Sequence, residues 1–303
     1  MKLKSWFYAA RIHTLPLSFS GITLSFVISK YRTNVSFIAY ILCIITALLL
    51  QILANLSNDY GDSITGVDNS RRIGPKRAIQ CGFISLLEMK KAICIFSILS
   101  FFSGFLLLYN TLLYKNIFIF FIYLIGIFIC VYSSIKYSIG PYPYGYIIGI
   151  GDLFVLIFFG IFSVEGSYFL YTHTLSMDIF FLSLSIGFLS VGVLNLNNMR
   201  DLDNDYENGK HTMAVWLGIK YAKLYHTLII LISISLGGYF IFLNQKIIDY
   251  YQWFIFIFIV IFLILHIKKI ICIQEKKLFN LELNKLVILT FLYGFSIGIC
   301  FLN

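Results

Sequence analysis

Charge is what this sequence has least of. Asp, Glu, Lys and Arg together make up 12% of its 303 residues, about half the ~25% usual in soluble domains. A chain so poor in charge, with a mean hydropathy of +0.87, belongs in a bilayer. Organised cysteine is missing as well. Cys43, Cys81, Cys94, Cys130, Cys272 and Cys300 are scattered without a CxxC pair, so neither a zinc site nor a disulfide framework is suggested. They read as small buried hydrophobes. The apolar residues do not alternate with polar ones in the short segments a membrane barrel needs. Phe and Tyr are abundant, but so are Ile, Lys and Asn, and a general compositional bias gives that pattern without any function.

What the sequence does have is repeated apolar runs of about twenty residues, each able to cross ~30 Å of hydrocarbon as a helix. Nine spans fall near residues 12–29, 36–56, 92–110, 116–135, 146–164, 178–197, 224–243, 250–267 and 286–302. With the N-terminus cytoplasmic, 19 of the 23 Lys and Arg residues lie in inner segments and 4 in outer ones, as the positive-inside rule requires. The formal charge of +9 is then explained by topology, and no nucleic-acid partner is implied. A signal peptide is a poor reading of the first thirty residues, because Ser18, Ser20 and Ser25 interrupt the apolar run. Gly145-xxx-Gly149 and Gly294-xxx-Gly298 are spacings that let helices approach closely. The expected fold is an all-α integral membrane bundle, a single domain over 1–303. Segments 55–88 and 198–222 are expected to be cytoplasmic motif loops capping an active site.

Internal symmetry adds to this. Asn55-Leu56-Ser57-Asn58 closes the second span and Asn195-Leu196-Asn197-Asn198 the sixth. The spacing suggests two pseudo-repeated helical units around a central cavity. Acid follows each copy: seven of the 14 acidic residues are Asp59, Asp62, Asp68, Asp201, Asp203, Asp205 and Glu207. Unpaired carboxylates at a membrane-helix end are costly, so a cation is their natural partner. If the helices continue that far, Asn58 with Asp62 and Asp201 with Asp205 share a face at i, i+4. Oxygen-only ligands suit Mg²⁺, which commonly bridges a few carboxylates to substrate phosphates. Arg72, Lys76, Arg77, Lys136 and Lys210 stand nearby to neutralise a diphosphate.

At these residues the sequence resembles the UbiA superfamily of intramembrane aromatic prenyltransferases. Asn58-Asp59-Tyr60-Gly61-Asp62 approaches the first motif, NDxxDxxxD, although Gly66 stands where its last Asp belongs and Asp68 lies two residues on. The second motif, DxxDxxxD, is matched at Asp201 and Asp205, with Asn198 in the place of the first Asp, and Tyr132 to Lys136 form a YxxxK element. Within the superfamily the likeness is greatest to the branch that prenylates 1,4-dihydroxy-2-naphthoate. It runs through NDYGDxxxGxD at 58–68, RIGPKR at 72–77, PYGYxxGxGD at 143–152 and NNMRDxxxDxxxGKxT ending at Thr212.

The resemblance implies an enzyme that moves a polyprenyl group from polyprenyl diphosphate onto that acceptor, with loss of CO₂, in the bacterial cytoplasmic (inner) membrane. It implies that Asn58, Asp62, Asp201 and Asp205 bind Mg²⁺, that Asp59 supports them, and that Lys136 contacts the diphosphate. Arg11, in a segment like the family's RPxTLP with Ile12 for the first Pro, is expected at the diphosphate with Arg72, Arg77 and Lys210. His13 reads as a loop residue, since nothing near it in sequence would tune it. Asp152 either orients the naphthoate hydroxyls or caps backbone amides. Two rivals stand beside this reading: another acceptor such as 4-hydroxybenzoate, and a transporter whose acids line a mid-membrane path.

Overall fold

The computed structural model describes residues 2–245 and 250–302. Among these the chain is helical throughout, with no strand. A short α1, Lys2–Ala9, leads through a turn to α2, Pro16–Arg32, whose first residue is the proline that a helix start tolerates. Ser36 caps α3, Phe37–Ile64. Ser85 and Glu88 form a reciprocal capping box for α4, Leu86–Thr111. Asn116 caps α5, Ile117–Lys136. Then come α6, Ile150–Thr172, α7, Met177–Glu207, α8, Met213–Leu243, α9, Tyr250–Cys272, and α10, Phe279–Gly298. Among the described residues eight helices are long and apolar enough to cross a membrane, and α1 with α2, bent by 52°, makes up to nine. The chain is a multi-pass membrane protein.

Helix α7 is the hub. Of its most apolar stretch 72% is buried, against 17% for α5 at the periphery. It packs along α6, α8 and α10. Gly160 and Gly187 make the α6–α7 seam possible: a Cβ on Gly160 would lie 2.6 Å from the Ser183 carbonyl. In the middle of α6, Leu156–Gly166 is wound as a π-helix, a winding that recurs at functional sites.

One difference from the sequence reading matters. Segments 55–88 and 198–222 are not loops from their first residue, because α3 runs on to Ile64 and α7 to Glu207. Their carboxylates are met by basic side chains there, so the helices can continue past their apolar stretches. The loops proper are 65–85 and 208–212.

Candidate active site

Because α3 and α7 continue, Asn58 with Asp62 and Asp201 with Asp205 do share helical faces, and those faces meet. Asp59, Asp62, Asp201 and Asp205 are 1–4% exposed. Lys210, in the tight turn after α7, reaches Asp62 at 3.6 Å, and its own amide donates to the Asp205 carbonyl. Burial alone would lower the Lys210 pKa, but Asp205 and Asp62 outweigh it and hold the ammonium above its ordinary value. One cation thus answers to both acid stretches.

The 65–85 loop is folded onto the same place. Arg72 lies 3.3 Å from Asp68 and 3.5 Å from Asp201, while Arg77 lies 3.5 Å from Asp59 and 3.8 Å from Asp68. Asp68 is therefore a buried strut between two arginines. Gly74 donates its amide to Asp201 at 3.1 Å, and a Cβ there would lie 2.6 Å from the Arg200 guanidinium, so a larger residue would have to displace that side chain. Arg11 donates to Asp59 at 2.9 Å. Its backbone sits in the left-handed region, φ 51°, ψ 57°, a strain of about 1–3 kcal/mol in a non-glycine residue that the surroundings must hold.

Two cavities adjoin this cluster. A polar one of about 200 Å³ is lined by Arg11, Asn58, Asp59, Arg72, Arg77 and Lys210 among others. An apolar one of about 760 Å³ runs into the bilayer region along α3, α5 and α6. Gln51, Asn55, Asn58, Tyr137, Val155 and Phe159 line both, so a charged chamber opens into a greasy tunnel.

Comparison with known proteins decides what this shape is. Residues 18–284 match the model of the UbiA prenyltransferase family. The chain belongs to that family. A UbiA-family enzyme of Escherichia coli, 1,4-dihydroxy-2-naphthoate octaprenyltransferase, is 40% identical over 233 residues, 77% of this chain and 75% of that one. Its counterpart in Haemophilus influenzae is 38% identical over 235 residues, with the same coverage. A UbiA homolog from Archaeoglobus fulgidus, solved bound to GPP and Mg²⁺, superposes with a TM-score of 0.66 over 97% of this chain and 99% of that one. At 14% identity that likeness shows the UbiA fold alone.

Not every expected site residue of this UbiA chain joins the cluster. Lys136 takes no part in the ion pairs that gather the clustered carboxylates, and like Asp62, Asp201 and Asp205 it lines neither cavity. It is the last residue of α5, and its ammonium curls against Gly140, 2.7 Å from where a Cβ would stand. Tyr132 is 64% exposed. Tyr137, one residue on, is the side chain that lines both cavities, its phenol pushed up to about 12 chiefly by burial. Asp152, at the start of α6, accepts a hydrogen bond from Tyr225 on α8 at 3.1 Å and lines neither cavity. Asp203 pairs with Lys276, and Glu207 with Arg71, both outside the chamber. His13, read as a loop residue, lines the polar chamber.

Sequence reasoning missed three residues. Tyr146 donates to Asp62 at 2.9 Å, and Lys210 lies over its ring at 5.2 Å. Arg200 donates to both oxygens of Asp201 and to Asn197 and Asn280. Asn204 ties α7 to the 65–85 loop through the Val67 carbonyl at 2.8 Å. Tyr146 and Arg200 both stand inside the quoted motifs; only the fold shows what they hold.

Proposed function

We propose that this chain transfers a polyprenyl group from polyprenyl diphosphate to 1,4-dihydroxy-2-naphthoate, releasing CO₂ and giving demethylmenaquinol. The observation that carries it is Lys210 held between two opposed acid stretches in a chamber that shares its wall with a 760 Å³ apolar tunnel. A diphosphate needs the first feature and a long isoprenoid the second. The naphthoate acceptor is supported by two relatives at 38% and 40% identity that carry that activity in their names.

Magnesium fits the donor set. Asn58 Oδ1 and Asp205 Oδ2 are buried acceptors without a hydrogen-bond partner, the kind of orphan a cation satisfies. Among the described residues no three acidic, His or Cys side chains converge on a point. That suits an ion which keeps waters and takes one or two carboxylates plus substrate phosphate. Asn58, Asp62 and Asp205 would hold it. Asp201, whose oxygens accept from Arg200 and Gly74 and face Arg72, would join only by giving up Arg72. When bound, Mg²⁺ neutralises the leaving diphosphate.

The chain's own residues do the rest. Arg11, Arg72, Arg77 and Lys210 grip the diphosphate as the allylic carbon–oxygen bond breaks and its electron pair leaves with the phosphate. Asp59, held by Arg11 and Arg77, fixes those two guanidiniums. Tyr137 presents its ring to the chamber, where an aromatic face can steady the allylic cation. Val155 and Phe159 exclude water. The naphthalene carbon bearing the carboxylate attacks the cation, and loss of CO₂ returns the electron pair that restores aromaticity. With 19 of 23 basic residues on one side, the chamber faces the cytoplasm.

Purified protein incubated with octaprenyl diphosphate, Mg²⁺ and each acceptor in turn tests this reading. Prenylated product and CO₂ from 1,4-dihydroxy-2-naphthoate are expected; product from 4-hydroxybenzoate alone would overturn it.

A further inference from the structure

Gly126 has no structural reason to be glycine. It lies inside α5, at ordinary negative φ, where glycine costs about 0.5–1 kcal/mol relative to alanine. Several helical glycines of this chain are there for close packing: a Cβ on Gly104 would lie 2.6 Å from Ile127, and one on Gly61 2.3 Å from the Ser138 carbonyl. A Cβ on Gly126 meets nothing within 4 Å. The space in front of it is the apolar tunnel, whose wall it forms.

That stretch of wall is also where the tunnel opens. Helix α5 packs on α3 and α4, and no comparable seam joins it to α6. Ile122, Ile125, Ile129 and Phe162 line the tunnel, yet each is 44–60% exposed, so they face the bilayer as well. Tyr123 stacked on Phe169, with centroids 5.5 Å apart, bridges the gap on the far side. Gly126 thus stands at the lip of a window between α5 and α6. It lies about 16 Å from Tyr137 along the helix axis, at ~1.5 Å per residue.

We propose that Gly126 is a specificity-determining residue: its missing side chain lets a long prenyl tail pass along α5 and out into the lipid, whereas a short tail ends before reaching it. The inference rests on the prenyl-transfer reading above. It concerns which diphosphates are accepted, not whether the chemistry occurs.

The test compares octaprenyl and geranyl diphosphate as donors for wild type and Gly126→Leu. A fall of at least tenfold in kcat/KM with the octaprenyl donor is expected, with the geranyl value held within about twofold. Retained geranyl transfer also reports that the variant is folded. Equal loss with both donors, or no change in their ratio, would overturn the proposal. A second measurement does not need turnover. In Gly126→Cys, maleimide labelling of position 126, read by peptide mass spectrometry, should be slowed by octaprenyl but not by geranyl diphosphate. Equal labelling with the two would again overturn it. Should wild type transfer neither chain while this protection still differs, the prenyl-transfer reading fails and the tail path stands.

Discussion

Residues such as Lys210 show how the site is held before any substrate arrives. Its ammonium is buried at 5% exposure and survives there because Asp62 and Asp205 face it. A cation whose folded pKa lies above the ordinary 10.5 contributes fully below that value and is lost only as pH rises past the folded one. The KM for the prenyl diphosphate should therefore be flat between about pH 7 and about pH 9 as far as Lys210 is concerned. Lys210→Met should raise that KM at least tenfold throughout, about 1.4 kcal/mol or more, as initial-rate kinetics at several pH values would show. Much of this residue-level picture was readable beforehand. Asp59, Asp62, Asp201 and Asp205 stand out as carboxylates where an apolar chain has few, and the fold brings them to one place. Lys136 was not readable. Its YxxxK spacing places it at the end of α5, but whether a terminal side chain turns to the chamber or to Gly140 depends on the 137–140 turn, which spacing does not specify. Arg200 was visible beside Asp201, yet its hold on Asn280 of α10 links residues eighty apart.

Elements are positioned by close backbone approaches that sequence marks only as glycine. Gly61 of α3 lies where a Cβ would stand 2.3 Å from the Ser138 carbonyl, so α3 and the turn after α5 touch backbone to backbone. Gly61→Ala must push them apart, on the same turn that carries Asp62 on α3 and faces Tyr137. A loss of about 1–3 kcal/mol is expected from such overpacking, seen as a lower thermal midpoint in detergent, together with a fall in kcat. An unchanged midpoint and full activity would mean the approach is looser than it stands here. The helix count was legible because long apolar runs are the strongest signal a membrane chain gives. The helix ends were not. Hydropathy falls at Asp59 and Asp201, so it reads α3 and α7 as finished, while arginines and Lys210 from other segments let both run on by about two turns. The π-winding of α6 is likewise invisible in a segment whose polar residues, Ser163 and Glu165, give no cue to it.

On the scale of the whole molecule, the fold joins a charged chamber to an apolar tunnel, and neither is useful alone. Chelation should expose the dependence on a divalent ion: EDTA is expected to abolish prenyl transfer and added Mg²⁺ to restore it, whereas Zn²⁺ suits this oxygen-only donor set poorly. The two acid stretches come from helices more than a hundred residues apart in sequence, and their meeting is what makes one site of them. The decisive measurement is prenyl transfer from octaprenyl diphosphate to 1,4-dihydroxy-2-naphthoate at saturating Mg²⁺ by wild type, Asp62→Ala, Asp205→Ala and the double variant. If both carboxylates serve a single diphosphate, each single change lowers kcat/KM by at least a thousandfold, about 4 kcal/mol, and the double variant is scarcely worse than either. Near wild-type turnover in either single variant, or losses that simply multiply in the double, would contradict a shared site.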